Sequence, residues 1–412
     1  MKQEIMVLGA GMVGTSTALE LALRGYAVTL IDRRGPGQET SFGNAGVIQR
    51  EAVEPYAMPR QATFLRDVLL RREPSVSYHL GAVIGNRRAL WRYWRASSPP
   101  THRALCPHYA ALIGHATQEH GRFIDIAGAG SLIRKTGIRM LYRSGAAFAA
   151  ACDNASRLQR EYGIAYLALD GEALARAEPD FRIRLRGALH WSDSWSVSDP
   201  ASLVEQYFNA FQRTGGKFLT GDARTLSPWG AGWRVSTSEG PVQAPQVVIA
   251  LGPWAAAFVH RFGYDLPLFV KRGYHRHYVG GGTVQVPTLD AERGYVMSPQ
   301  QRGLRITTGA EIAAILARPT PVQLAQAEVE AKRLLNLGAP VENAPWLGSR
   351  PCVSDMLPVI GAAPKHHGIW FNFGHGHQGF TLGPASARLL ADLIQQTLPY
   401  IPHGPYDPGR FR

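Results

Sequence analysis

"VLGAGMVGTSTALELALRGYAVTLIDRR" (residues 7–34) is the stretch whose reading decides the fold. The apolar run 4–9 (EIMVLG) reads as a short buried strand, and a turn carrying Gly9, Gly11 and Gly14 follows it directly. Small and apolar residues then recur at helical spacing as far as Gly25, a helix stop. Residues 27–32 (AVTLID) read as a second buried strand. In such a strand–turn–helix–strand unit one glycine makes the tight turn, one lets the backbone approach a pyrophosphate, and one lets the helix pack on the strand. The helix amino end favours the anion through its free N–H groups and dipole. Asp32 closes the second strand where it can accept hydrogen bonds from a ribose diol, with Arg33 beside it. An acid there argues against a 2′-phosphate, so the expected ligand is FAD or NAD rather than NADP.

A chain of 412 residues exceeds one ordinary core and implies two associated domains. With 45% apolar and 18% charged residues it has globular composition. The cysteines Cys106, Cys152 and Cys352 have neither disulfide nor zinc spacing, which suits a reducing, cytoplasmic setting. No signal-peptide pattern or membrane-length apolar run stands out, and no metal site is expected. The net charge of +13 is uneven. Arg60, Arg66, Arg71, Arg72, Arg87, Arg88, Arg92, Arg95 and Arg103 face only Asp67 and Glu73 within 60–103. There "NRRALWRYWRA" (86–96) interleaves arginine with Trp91, Tyr93 and Trp94. That pattern fits either a solvated arginine-rich face or peripheral contact with an anionic membrane on its inner side. Nucleic acid is the weakest of the readings.

Elements of the same kind recur far downstream. "TSFGNAGVI" (40–48) brings small residues after the second strand, "APQVVIALGPWA" (244–255) is a buried strand ending in a glycine turn, and "GSRPCVSDMLPVIGAAP" (348–364) precedes "GIWFNFGHGHQGFTLGPASARLLADLI" (368–394). Together with the opening fingerprint, the segments Thr40, Ser41, Asn44, Ala45, Gly46; Ala250–Gly252; Gly348, Arg350, Pro351, Asp355, Pro358, Ile360, Gly361; and Gly374, His375, Gly376, Gly379 resemble the FAD-dependent D-amino-acid oxidase superfamily. The branch they look most like is the small-subunit type of bacterial D-amino acid dehydrogenase. The resemblance implies an α/β fold, a discontinuous Rossmann-type FAD-binding domain with an α+β substrate domain built on an antiparallel sheet. The expected flavin domain comprises 1–55, 192–262 and 345–412, and the substrate domain 56–191 and 263–344. Helices are expected near 144–162 and 320–336 and within 197–219, the last capped by Ser198 or Asp199 and ended by Gly215 and Gly216, with antiparallel strands around 270–310.

The resemblance further implies non-covalent FAD and oxidation at the Cα–N bond of an amino or imino acid. Hydride would pass from Cα to flavin N5, the imino acid would hydrolyse, and the electrons would pass to a quinone or other carrier. The expected cofactor residues are Gly9, Gly11, Gly14, Asp32, Arg33, Ser41, Asn44, Ala45, Gly46, Gly252, Gly376, Gln378, Gly379 and Phe380. His377 and its neighbours at the amino end of a helix starting near Gly383 would stabilise charge developing on the ring. Arg350 is the expected carboxylate clamp, because a planar fork matches a carboxylate bidentately. Arg272 and Arg305 are runners-up, and pairing with Asp355 or a carbonyl is the structural alternative for Arg350. Strand alternation over 270–280 (VKRGYHRHYVG) puts Tyr274, Arg276 and Tyr278 on one face and His275 and His277 on the other, with Tyr274 and Tyr295 as expected pocket residues. Alternatives within the class are an O2-using glycine, sarcosine or D-amino-acid oxidase and a D-hydroxyproline dehydrogenase. Outside it stand an NAD-dependent dehydrogenase and a non-catalytic nucleic-acid or membrane-binding protein.

Overall fold

The computed structural model describes residues 2–411. Its first sheet has six strands, in the order Lys217–Thr220, Ala27–Asp32, Glu4–Leu8, Gln246–Ile249, Ile369–Phe373, Val359–Ala362. The first five run parallel, and the last returns as an antiparallel hairpin partner. Parallel strands are covered on both faces and so carry continuous apolar runs. Ile5, Val7, Val28 and Leu30 pack against helices on one face. Met6, Leu8 and Ile31 pack on the other against a small sheet carrying Trp233 and Val235. Helix Met12–Leu23 lies between helices Pro200–Arg213 and Gly379–Ile394.

The second sheet has eleven strands and is centred on Leu268–Val279. That strand pairs antiparallel with Gly303–Thr308, Ala310–Ile312 and Trp346–Val353. Helix Val322–Leu334 covers one face through Leu324, Ala327, Ala331 and Leu334. The antiparallel strands expected around 270–310 and the helices Gly145–Tyr162 and Val322–Leu334 are present. The helix expected after residue 198 is Pro200–Arg213, and its cap is Asp199, whose Oδ1 accepts N–H bonds from Ala201 and Ser202.

One boundary differs from the sequence expectation. The last long helix starts at Gly379, not near Gly383, and keeps Pro384 inside. A proline cannot donate to the carbonyl four residues back, here that of Phe380. His120 fills that place: its Nε2 lies 3.0 Å from the Phe380 carbonyl, and its Nδ1 lies 2.8 Å from the Tyr207 hydroxyl. Burial holds the ring neutral, pulling its pKa down to about 4. The helix can therefore begin four residues earlier and point its leading amides at the cavity described next.

Candidate active site

A cavity of about 1670 Å³ runs between the two sheets. That exceeds what one small ligand needs and has room for a dinucleotide and a small substrate together. Gly9, Gly11, Met12, Asp32, Arg33, Ser41, Asn44, Ala45, Gly252, Gly376, Gly379 and Phe380 line it, with Arg350, Tyr274 and His377. Among the expected residues, Gly14, Gly46, Gln378 and Tyr295 do not.

The end of the cavity at the glycine turn is built by close backbone approach. A Cβ at Gly14 would lie 1.8 Å from the Gly9 carbonyl oxygen, so the helix can meet the turn only without a side chain there. Gly9 has φ +105°, the region that favours glycine. Ser41 Oγ accepts the Met12 N–H at 2.9 Å, and the Asp32 carboxylate accepts those of Ala10 at 2.7 Å and Arg34 at 3.0 Å. Burial raises the Asp32 pKa, and those N–H bonds oppose the rise. Each oxygen keeps a lone pair for a ligand hydroxyl. Arg33 lies 4.5 Å from the centre of the Trp254 ring, giving this end a flat apolar wall beside Asp32.

Loop Gly374–Gln378 closes the middle. Gly46 and Gln378 stand behind the lining as supports: Gly46 accepts the Val197 N–H, and Gln378 Nε2 donates to Gln49 Oε1 at 2.6 Å. His375 Nε2 and Gln378 Oε1 are buried without a protein partner. Orphaned polar atoms at such depth call for a ligand or water. Burial drives the His377 pKa well below its ordinary value, with Arg350 and Lys271 adding to the effect, so the ring is neutral. It packs 5.2 Å from the ring of Tyr56. The leading residues of helix Gly379–Ile394 turn its positive end toward the same space.

The three candidate arginines separate by their partners. Arg272 is spent on Glu311 at 2.7 Å, both fully buried. Arg305 holds the 42–44 segment through the carbonyls of Phe42 and Asn44 and reaches His277 Nε2 at 2.9 Å. Arg350 lines the cavity and has no carboxylate partner among the described residues. It donates to the carbonyls of Arg272, Gly309 and Thr308 at 3.3, 2.9 and 3.1 Å. Three carbonyls position it without cancelling its charge. Asp355 instead pairs with Arg410 at 2.7 Å. Burial lowers the Arg350 pKa, which marks a cation enclosed without a counter-charge.

Two expected pocket residues have other engagements. Tyr274 borders the cavity, yet its hydroxyl donates to Glu311 at 2.8 Å and accepts the Thr320 N–H at 2.7 Å. Tyr295 lies in the core against helix Val322–Leu334, outside the cavity lining. The residues that sequence reasoning missed are Lys271, Tyr93, Tyr56 and Gln49, all of them lining. Strand parity held the signal for Lys271: Lys271, Gly273 and His275 lie opposite Arg350, Gly348 and Trp346, so the face of the long strand shared with Arg350 is the odd-numbered one. Gly273 makes the seat, since a Cβ there would come 2.4 Å from Arg350 Nη1.

Residues 4–393 match the DAO family, described as FAD dependent oxidoreductases. A D-amino acid dehydrogenase of Cereibacter sphaeroides is 31% identical, covering 96% of this chain and 93% of that protein. D-amino acid dehydrogenase 2 of Ralstonia nicotianae is 32% identical over 98% of this chain and 99% of its own. A D-amino-acid oxidase of Bradyrhizobium diazoefficiens is 29% identical over 99% of both. Among solved structures, L-proline dehydrogenase from P. horikoshii superposes with a TM-score of 0.74 at 19% identity, covering 100% of this chain and 98% of that one. Glycine oxidase from Geobacillus kaustophilus gives 0.70 at 20% over 98% of both, and both structures share the fold. With the glycine turn, Asp32 and the orphaned Nε2 of His375 around one cavity, the chain belongs to the FAD-dependent oxidoreductase (DAO) family, and FAD is its cofactor.

Proposed function

We propose that this enzyme oxidises the Cα–N bond of a D-amino acid and passes the electrons to a quinone or another carrier. The observation that carries the reading is Arg350, a cavity-lining guanidinium held by carbonyls and lacking a counter-charge. It receives the substrate carboxylate through N–H groups not used by the protein. FAD, when bound, supplies two-electron acceptance. The protein positions and desolvates. His377, unprotonated, adds no competing cation and accepts a hydrogen bond from the substrate amine. Tyr56 and Tyr93 help to wall the site from water. The names of the full-length relatives support the D configuration.

Anaerobic mixing of the holoenzyme with D- and L-amino acids, glycine, sarcosine and hydroxyprolines in the absence of any acceptor, followed by addition of a quinone analogue or O2, tests the proposal. The expected result is bleaching of the flavin band by D-amino acids, with reoxidation by a quinone analogue faster than by O2. Bleaching by L-amino acids alone, or by no amine, overturns it.

The same reading gives the basic segment a task. Helices Ala62–Leu69, Leu80–Gly85 and Arg87–Ala96 leave Leu69, Leu80 and Trp91 71, 62 and 58% exposed among the arginines. Phe64, Leu65 and Val68 of the first helix also line the cavity. Apolar side chains ringed by arginine fit an anionic lipid surface. No helix among the described residues is long and apolar enough to cross a membrane. Co-sedimentation with vesicles containing phosphatidylglycerol, absent with phosphatidylcholine alone and lost in a Leu69→Glu/Trp91→Glu double variant, is the expected outcome. Equal partition to both lipids rules out this docking mode.

A further inference from the structure

We infer that Lys271 and Arg350 form a two-point anion site and that the preferred substrates carry a second carboxylate, as acidic amino acids do. The inference rests on Arg350 as the clamp for the first carboxylate. Lys271 and Arg350 are direct cross-strand partners in the antiparallel pair Leu268–Val279 and Trp346–Val353, so both side chains leave the same face. Both line the cavity. Like charges opposite one another in a sheet repel, and enclosure in protein strengthens the repulsion. A fold retains such a pair at a cost unless an anion arrives between or beside them.

No protein group supplies that anion. Neither cation has an ion pair among the described residues, while the neighbouring Arg272 and Arg410 each have a carboxylate within 2.7 Å. The ammonium of Lys271 donates to the Tyr93 hydroxyl at 3.1 Å and lies 4.5 Å from the centre of that ring. Tyr93 and Cys352, the polar groups beside it, are held protonated by burial and bring no negative charge.

The two heads also diverge. Arg350 turns to the carbonyls of Thr308 and Gly309, at the junction of the central strands, whereas Lys271 turns to Tyr93 on helix Arg87–Ala96. Separate anchorages suit two separate carboxylates better than one shared between both cations. Arg350 has the planar fork for the carboxylate next to the reacting carbon. Lys271, a point charge on a flexible stem, suits a terminal carboxylate of variable reach. Lys271 is thus a specificity-determining residue.

The test compares holoenzyme with Lys271→Met and Lys271→Arg variants. One readout is the ratio of kcat/KM for D-aspartate and D-glutamate to that for D-alanine and D-methionine. The other needs no turnover: glutarate and succinate are titrated against butyrate by the shift of the flavin visible band. Lys271→Met should lower the dicarboxylate ratio about 100-fold in both readouts, and Lys271→Arg should restore most of it. Two results overturn the inference: no preference for dicarboxylates in the unaltered enzyme, or equal losses for mono- and dicarboxylates in Lys271→Met. Glutarate binding that depends on Lys271 in an enzyme bleached by no amino acid would leave the anion site standing and refute the proposed reaction instead.

Discussion

Arg350→Ala is expected to lower kcat/KM for the amino-acid substrate by about 10³-fold while leaving bound FAD at one per chain. The guanidinium sits over Gly273, held by three carbonyls, at the substrate end of the cavity and remote in its contacts from Asp32 and the glycine turn. Its loss removes charge-assisted hydrogen bonds to a desolvated carboxylate, worth roughly 3–5 kcal/mol when one partner of such a pair is deleted. Arg350→Lys should recover about a tenth of the original efficiency, because an ammonium cannot bond bidentately. An enclosed cation without a counter-charge costs stability, so the Tm of the alanine variant should hold or rise. Loss of FAD together with activity would show Arg350 to be a brace for the cofactor loop and would sink its assignment as the clamp.

The second large effect is acid sensitivity at pH values where carboxylates are still ionised. His120 and His275 are buried and neutral in the native state, with pKa values lowered to about 4 and about 2. Burial is the main cause for both, and for His275 the cations Arg305 and Arg302 and the neighbouring His277 add to it. In the unfolded chain each titrates near 6.5. Above that pH neither state binds the proton, and the full stability is present. As the pH falls through 6.5 the unfolded chain gains protons that the native state refuses, so each histidine removes about 1.4 kcal/mol per pH unit. From pH 6.5 to 4.5 the pair removes roughly 5 kcal/mol, comparable to the whole stability of many domains. Asp32, Glu51 and Glu178, whose pKa values burial raises, act in the opposite sense and blunt the fall at its lower end. Tm should be level above pH 7 and drop steeply below 6.5, and His275→Phe, which keeps the stack on Trp346, should flatten the slope. A Tm unchanged between pH 7 and 5 would contradict this account.

What was legible in the sequence was what is local. The glycine turn, its flanking strands and Asp32 lie within thirty-odd residues and obey rules that need no tertiary information. The substrate end does not. Choosing among Arg272, Arg305 and Arg350 from local pattern fails because the difference lies in distant partners, Glu311 for the first and the 42–44 carbonyls for the second. Only the resemblance singled out Arg350. Strand alternation sorts the side chains of the long strand into two faces but does not say that Lys271, on the face opposite Tyr274, also meets the cavity. Tyr295 shows the same limit, since an aromatic residue on a half-buried strand serves core and pocket equally well. The true start of the last helix is equally hidden from local pattern, since Pro384 is tolerated inside it by a histidine 264 positions earlier that bonds the carbonyl left free.

The parallel sheet also has a consequence for biosynthesis. Its central strand, Glu4–Leu8, gains its second neighbour only with Gln246–Ile249, and that strand in turn waits for Ile369–Phe373. At translation speeds of about 5–20 residues per second, the first strand–helix–strand unit stays half-paired on the ribosome for roughly 10–50 s, with an apolar edge on offer. The central strand is therefore covered only once Gln246–Ile249 has emerged, and that strand's own outer edge only once Ile369–Phe373 has followed.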